Sequence, residues 1–156
     1  MVKEFKTFAA FGKQVEKIIR EYPHREHTFL NLVGKFIQNE AKGYIGHLQH
    51  IWPELAESTQ EQKESLGYGD AMNDWQPLLR TGEMRDSITY TVQLHDVYIG
   101  SDSDILVYQE IGTVRIPPRP VLGLAMYENK RRLEKSIGSF VLAWITDTRA
   151  KGRIDD

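Results

Sequence analysis

Cysteine is absent from this chain of 156 residues, and so is any long hydrophobic run. Without cysteine, disulfide bonds, thiolate nucleophiles, zinc knuckles and iron–sulfur clusters are excluded, and a reducing compartment is permitted. The longest apolar stretch, residues 137–145, contains Gly138 and Ser139 and falls far short of the roughly 20 residues that cross a bilayer. The first residues hold no uninterrupted apolar segment, so we expect no secretory signal.

The composition is that of an ordinary folded protein, with 40% hydrophobic and 27% charged residues. A chain of this length buries roughly 70% of the surface that its unfolded form exposes, so it can hold a core without crosslinks. We therefore predict a single domain over residues 1–156.

Charge is distributed unevenly along the chain, although the net charge is only −2. Residues 1–52 carry eight Lys or Arg and five Asp or Glu, residues 53–110 carry three and twelve, and residues 111–156 carry nine and five. An acidic middle between basic flanks is either ordinary surface variation or the sign of a protein with unlike faces. Unlike faces suit head-to-tail contact in a ring.

Three helices are predicted from apolar residues at three- and four-residue steps. The first covers residues 8–22 and ends at Pro23, and the second covers about 26–48. The third runs from about residue 122 to 146, after a stiff connector that contains Pro117, Pro118 and Pro120. We expect residues 147–156 to be a frayed tail.

The middle of the chain predicts a short helix and then a small sheet. Ser58–Glu61 has the spacing of a capping box, which favours a helix over 59–66, and residues 67–76 look like a mobile loop. Residues 88–94 alternate as a half-buried strand and turn at His95-Asp96 into a second strand over 97–99. A third apolar run follows at 105–108, and a further short strand is expected over 114–116. The fold class is therefore α+β: a small antiparallel sheet packed by two N-terminal helices and a long C-terminal helix.

Two sets of side chains could carry chemistry, and both are explained more simply by structural roles. The pairs His24/His27 and His47/His50 have metal-ligand spacing, but no third ligand is defined, so solvated histidines are favoured over a metal site. Six acidic residues are candidates for acid–base work, but nothing fixes two of them in opposed environments: Asp70, Asp74, Glu83, Asp86, Asp102 and Asp104. The sequence has no Gly-rich phosphate loop, nucleophile elbow or HExxH motif, and we predict neither enzymatic activity nor a cofactor.

Two basic features remain. The run Lys130-Arg131-Arg132 with Lys135 is either the wet face of the last helix, which is favoured, or a phosphate-binding patch. Arg119 lies between two prolines, so its guanidinium is displayed on a backbone that is already restricted. That arrangement suits contact with a neighbour's carboxylate, although a simple turn into the helix fits equally well.

Three segments stand in an order that carries a resemblance. The first is Trp52-Pro53-Glu54-Leu55 with Ser58-Thr59, and the second is Leu78-Leu79-Arg80-Thr81-Gly82-Glu83-Met84-Arg85-Asp86-Ser87-Ile88. The third is Glu110-Ile111-Gly112-Thr113 followed by Pro117-Pro118-Arg119-Pro120-Val121-Leu122. In this order and spacing the chain resembles the tail-completion, or virion morphogenesis, proteins of tailed bacteriophages over about residues 50–145. It departs from their pattern at Met84, where a leucine is usual, and at Ile105-Leu106, where Tyr-Ala is frequent.

The resemblance implies a structural protein without a reaction: a homo-oligomeric ring, with six copies expected, at the neck where the DNA-filled head joins the tail. Its implied partners are copies of itself, the connector, and the tail terminator with the tail tube, with DNA passing through the ring and no membrane. The implied location is the virion neck, after assembly in the host cytoplasm. The candidate subunit-interface residues are Arg80, Glu83, Arg85, Glu110, Arg115, Arg119, Arg131 and Arg132. As a hypothesis, Arg119 and the basic last helix pair with the acidic middle segment of an adjacent subunit.

Two other functions stay open at this point. Within the same class, the chain is a candidate terminator that caps the tail tube. From another class, it is a candidate nucleic-acid-binding module that uses residues 130–135. A metal hydrolase built on the histidine pairs is the weakest alternative.

Overall fold

A computed structural model describes residues 4–69, 72 and 75–146 of the chain. Within these residues the fold is α+β, as predicted. The elements are α1 (Phe8–Tyr44), α2 (Glu57–Ser65), α3 (Glu83–Asp86), β1 (Thr89–Gln93), β2 (Asp96–Gly100), α4 (Asp104–Ile111) and α5 (Leu122–Ile145). The frayed tail expected at 147–156 lies outside the described residues, and the mobile loop expected at 67–76 lies partly outside them.

The N-terminal region is one helix and not two, so the predicted break at Pro23 is wrong. α1 runs without interruption through Pro23. Proline has no N–H to donate to the carbonyl four residues earlier and normally bends or breaks a helix. Here the apolar stripe continues on both sides of the proline, and contacts to α5 hold both sides in helical form.

α2 begins two residues earlier than predicted. Its N-cap is Ala56, which makes no side-chain capping hydrogen bond, so the capping-box interpretation of Ser58–Glu61 is wrong. Those residues lie inside the helix instead. The backbone N–H groups of Thr59 and Gln60 donate to the carbonyl of Ala56, at 2.8 and 3.0 Å, and start the helical pattern without a side-chain acceptor.

The predicted hairpin is confirmed, and the further strand is not. β1 and β2 form a two-stranded sheet, and in β1 the inward positions Tyr90 and Val92 alternate with exposed neighbours, as the period of two requires. Residues 105–108 belong to α4, and only Leu106 of that run is buried. Residues 114–116 form a bend and no strand.

The chain divides into two compact units. The first, here the acidic unit, comprises residues 36–90 and 99–128. Its core draws on α1, α4, α5 and the intervening segments, and its buried apolar side chains are Ile37, Ala41, Ile45, Trp52, Ile88, Leu106, Val121, Leu124 and Ala125. Three of these, Ile37, Ala41 and Ile45, recur every four residues and mark the inward stripe of the second half of α1 and the residue that follows it.

The second, here the basic unit, comprises residues 1–35, 91–98 and 129–156, of which 4–35, 91–98 and 129–146 are described. Its first and last segments are antiparallel parts of α1 and α5, joined by Phe29 stacked on Phe140 and by Tyr22 against Trp144, each with ring centroids 4.4 Å apart. The only buried apolar side chains in the described part of this unit are Leu133 and Ala143. This unit therefore has a much smaller core than the other.

One polar network supports the basic unit. The hydroxyl of Tyr22 donates to Glu26 Oε1 at 2.6 Å, and Glu26 Oε2 lies 2.9 Å from Nδ1 of His95. The hydrogen bond from Tyr22, helped by His95, lowers the pKa of the Glu26 carboxyl against the opposing effect of burial. The network thus holds a charged carboxylate between the helix and the hairpin turn.

Candidate functional site

The candidate site is built around Arg119 in the segment between α4 and α5. Its side chain is only 6% exposed, which is rare for arginine outside paired or hydrogen-bonded positions. The guanidinium donates to the carbonyl oxygen of Pro53, from Nε at 3.3 Å and from Nη2 at 3.0 Å, and Nη2 also donates to the carbonyl of Glu54 at 3.0 Å. Burial lowers the pKa of this guanidinium, yet the three hydrogen bonds satisfy its charge with peptide dipoles.

The residues beside Arg119 make matching contacts. The backbone N–H of Arg119 donates to the carbonyl of Gln109 at 2.7 Å, which ties the connector to α4. The indole N–H of Trp52 donates to the carbonyl of Pro120 at 3.0 Å. Since Trp52 is buried, its ring fills the core while its polar edge is satisfied by the connector.

Glu110 caps the start of α5 from another helix. Its Oε2 accepts hydrogen bonds from the backbone N–H groups of Val121 at 2.7 Å and Leu122 at 3.0 Å, and its Oε1 accepts one from Gly123 at 2.7 Å. A carboxylate at this position satisfies orphan donors and favours the positive end of the helix dipole. A Cβ on residue 123 would lie 3.0 Å from Glu110 Oε1, so glycine there allows the close approach.

We call Trp52, Pro53, Glu110, Arg119 and Pro120 the Arg119 node. The turn that leads into it begins at Gly112, whose φ of +75° suits glycine, and a Cβ there would meet Ile116 O and Pro118 at 3.0 Å. The Thr113 N–H donates to the Ile116 carbonyl at 2.8 Å and closes the turn. All these groups belong to the acidic unit.

The structure brings together only two of the predicted interface residues. Glu110 and Arg119 meet in the Arg119 node, where their described hydrogen bonds go to the chain's own backbone. This gives both residues a role inside the subunit that the sequence did not indicate. Their assignment to a contact between subunits stays a prediction.

The other predicted interface residues lie elsewhere. The guanidinium carbon of Arg80 stands 4.9 Å from the ring centroid of Tyr68, a cation–π contact. Glu83 is exposed in α3, and Arg85 Nε lies 3.1 Å from Asp86 Oδ1. Arg115 is exposed in the connector and Arg131 is exposed on α5. Arg132 Nη1 donates to Asn129 Oδ1 at 3.3 Å.

The weaker chemical candidates are dispersed. In the described part of the chain, no three His, Asp or Glu side chains gather into a set that could bind a metal ion. His27 Nδ1 contacts the amide of Asn31, and His50 Nδ1 lies 3.6 Å from Glu128. Asp70 and Asp74 lie outside the described residues. None of the described helices has the length and apolarity that crossing a bilayer demands.

Lys63 is an organising residue that sequence reasoning missed. Its ammonium group donates to the carbonyls of Leu79 at 2.7 Å, Gln76 at 2.9 Å and Tyr68 at 3.5 Å, and burial lowers its pKa. The segment that it holds contains three non-glycine residues with positive φ: Trp75, Gln76 and Leu78. Such conformations persist only where surrounding contacts fix them, and no sequence pattern reveals a lysine whose acceptors are backbone carbonyls.

Comparison of the chain with known protein families, with curated proteins and with solved structures finds no match.

Proposed function

We propose that this chain is a structural protein of a tailed-phage virion that forms a ring at the head–tail junction and joins the tail to the DNA-filled head. The observation that supports the proposal is the Arg119 node. The first and the third segments that carry the resemblance to tail-completion proteins are separated by dozens of residues in the sequence, yet Trp52 and Pro53 form hydrogen bonds with Pro120 and Arg119 there. Glu110 accepts hydrogen bonds from the residues that directly follow Pro120. The first and the third of these segments therefore hold each other in place, which gives that part of the shared pattern a physical reason.

The chemistry of the node suits a structural role. Its charged groups bond to backbone N–H and C=O groups, which fixes the start of α5 against α4 and residues 52–54. A subunit that must present the same surface to every neighbour in a ring needs such fixed junctions. The uneven charge of the chain suits the same role, since each subunit of a ring meets its neighbours through two different surfaces.

The test is made in the phage that encodes the chain. With its coding sequence disrupted, we expect DNA-filled heads and separate tails to accumulate, and supply of the intact chain in trans should restore joined particles. A cryo-electron microscopy map of the restored neck should show a ring of this chain between connector and tail, with six copies expected. The proposal is rejected if joined, infective particles form without the chain.

The alternatives give different outcomes. Density for the chain directly on the last tube ring, with no contact to the head side, identifies a tail terminator. A nucleic-acid module predicts binding of the purified chain to free duplex DNA, with an affinity that falls steeply as salt rises. We expect neither.

A further inference from the structure

The outward side of α4 is apolar with an acidic start. Asp104, Tyr108 and Ile111 follow one another at steps of four and three residues, with Val107 beside them, and all four are exposed. Ile111 is 72% exposed, and Leu106 is the one residue of this short helix that is buried. We call Asp104, Val107, Tyr108 and Ile111 the α4 outer face. A helix that shows such a face to water is poorly matched to a free subunit.

A complementary face lies on the part of α5 that belongs to the basic unit. Arg131, Lys135, Gly138, Leu142 and Ile145 are all exposed and follow one another at alternating steps of four and three residues. Leu142 and Ile145 are 63% and 59% exposed. We call these five residues the α5 outer face. The spacing is that of a seam along which a second helix can lie, and it begins with cations where the α4 outer face begins with an anion.

Gly138 stands in the middle of the α5 outer face and leaves room for a partner. A Cβ built on it meets nothing within 4 Å, so no packing within the chain requires a glycine there. Glycine inside an exposed helix lowers the stability of the helix relative to alanine. A close approach by another helix backbone is one physical reason for accepting that cost.

Charge identifies the occupant. The described residues of the acidic unit carry six Lys or Arg and eleven Asp or Glu, while those of the basic unit carry ten and six. The α4 outer face belongs to the first unit and the α5 outer face to the second. Each face therefore repels its own copy on a second chain and attracts the opposite one, which is the pattern of a head-to-tail contact and not of a two-fold dimer.

We propose that the α4 outer face of one copy packs against the α5 outer face of a neighbouring copy, with Asp104 beside Arg131 and Lys135 and with Tyr108 and Ile111 against Gly138 and Leu142. The two helices run in the same direction, because only then do the acidic and basic starts coincide. The inference rests on the proposed ring and specifies the surfaces that build it. Of the sequence-based hypothesis it keeps the basic last helix, narrows the acidic middle segment to α4 and leaves Arg119 out.

The first test uses one matched pair of variants. Gly138→Glu places a side chain in the proposed contact, and Gly43→Glu makes the same change at an exposed position of α1 where a Cβ also meets nothing within 4 Å. Self-association of the full chain is measured by sedimentation equilibrium, from low to high micromolar concentration. We expect Gly138→Glu to weaken self-association by at least about tenfold and Gly43→Glu to leave it unchanged. Circular dichroism spectra that match the wild type show that both variants are folded.

The second test is an exchange of charge between the faces. Lys135→Glu and Asp104→Lys should each weaken self-association, and the double variant should recover most of the loss because the ion pair is restored with reversed sign. Raising the salt concentration should weaken the wild type and the double variant alike. Since Asp104 begins α4, where an anion favours the helix, the Lys135→Glu result stands by itself if Asp104→Lys alters the spectrum.

Some results overturn this inference without touching the proposed function. A wild-type chain that stays monomeric over the whole concentration range overturns it, and so does equal self-association of Gly138→Glu and Gly43→Glu. Loss of binding to another neck protein with self-association intact assigns the faces to a different partner and also overturns it. If instead the variants lose self-association while heads and tails still join, the contact between copies stands and the proposed function fails.

Discussion

At the scale of single residues, Arg119 shows how environment decides the role of a side chain. From the sequence, an arginine between two prolines is expected either to be exposed for contact with a neighbour or to belong to a simple turn into the helix. Burial to 6% exposure turns its fork of donors into a clamp on the carbonyls of Pro53 and Glu54. Planar, bidentate donation of this kind is specific to arginine.

The first prediction concerns the hydrogen bonds from the Arg119 guanidinium to the carbonyls of Pro53 and Glu54. Arg119→Lys keeps the positive charge, but one ammonium group cannot reproduce donation from both Nε and Nη2. We expect the free energy of unfolding to fall by about 1 to 3 kcal/mol, because buried acceptors lose their partner. Urea denaturation with an unchanged m-value measures it. Arg115→Lys, at an exposed position of the same connector, should stay within about 0.5 kcal/mol of the wild type; equal midpoints for the two variants would contradict the role of the clamp.

At the scale of elements, α1 shows that contacts with other segments override a local stop signal. Pro23 leaves the carbonyl of Ile19 without its usual helical donor, and one residue away the indole N–H of Trp144 donates to the carbonyl of Ile18 at 3.3 Å. Tyr22, next to the proline, lies against the same indole ring. Contacts from Trp144 of α5 thus stabilise α1 at the turn where its own backbone hydrogen bonds are incomplete.

The second prediction concerns this turn. Pro23→Ala restores an N–H to the ladder and removes the clash of the proline ring, so the chain should become more stable by about 1 to 3 kcal/mol. Thermal unfolding followed by circular dichroism at 222 nm, where α-helices give a strong negative signal, measures the change in stability. Gly12→Ala, in the same helix with open space at Cβ, calibrates plain propensity and should add about 1 kcal/mol. Destabilisation by Pro23→Ala would contradict this account and would mean that the proline supports the contact with Trp144.

At the scale of the whole molecule, the apolar core is distributed unequally between the two units. In α1, Ile37, Ala41 and Ile45 lie in or next to the second half and are buried, whereas Phe8 and Ile19 in the first half are 88% and 66% exposed. Buried apolar contacts are what raise the free energy of local opening. One continuous helix therefore joins a well-buried end to a sparsely buried one.

The third prediction follows from this distribution. Amide hydrogens of residues 37–44 should exchange at least about tenfold more slowly than those of residues 12–19, although both stretches belong to α1. Hydrogen exchange followed by mass spectrometry resolves the two stretches. If assembly covers the basic unit as we propose, the difference should narrow at concentrations where the chain self-associates. Uniform exchange along α1 would show that the helix opens as a unit.

Much of the architecture could be predicted from local patterns. The period of two over residues 88–94 located β1, and the apolar spacing after Pro120 located α5 almost to the residue, because both patterns persist over enough residues to exceed chance. The short apolar run 105–108 could not be assigned from the sequence, since four apolar residues fit a strand or a helix equally well, and the structure places it in α4. Pro23 was misjudged because a local rule cannot register the contacts that α5 makes with the same turn.

The candidate site divides along the same line. The sequence by itself singled out the segments that carry the resemblance, which include Trp52-Pro53, Glu110 and Arg119-Pro120, and it determined the opposite charges of the chain's parts. Only the tertiary structure decided that Arg119 and Glu110 bond to their own chain, that Lys63 gathers three carbonyls, and that α4 and α5 leave unlike faces uncovered. The physical reason is that residue types and periods are properties of neighbours along the chain, whereas the partner of a long polar side chain is set by segments up to dozens of residues away.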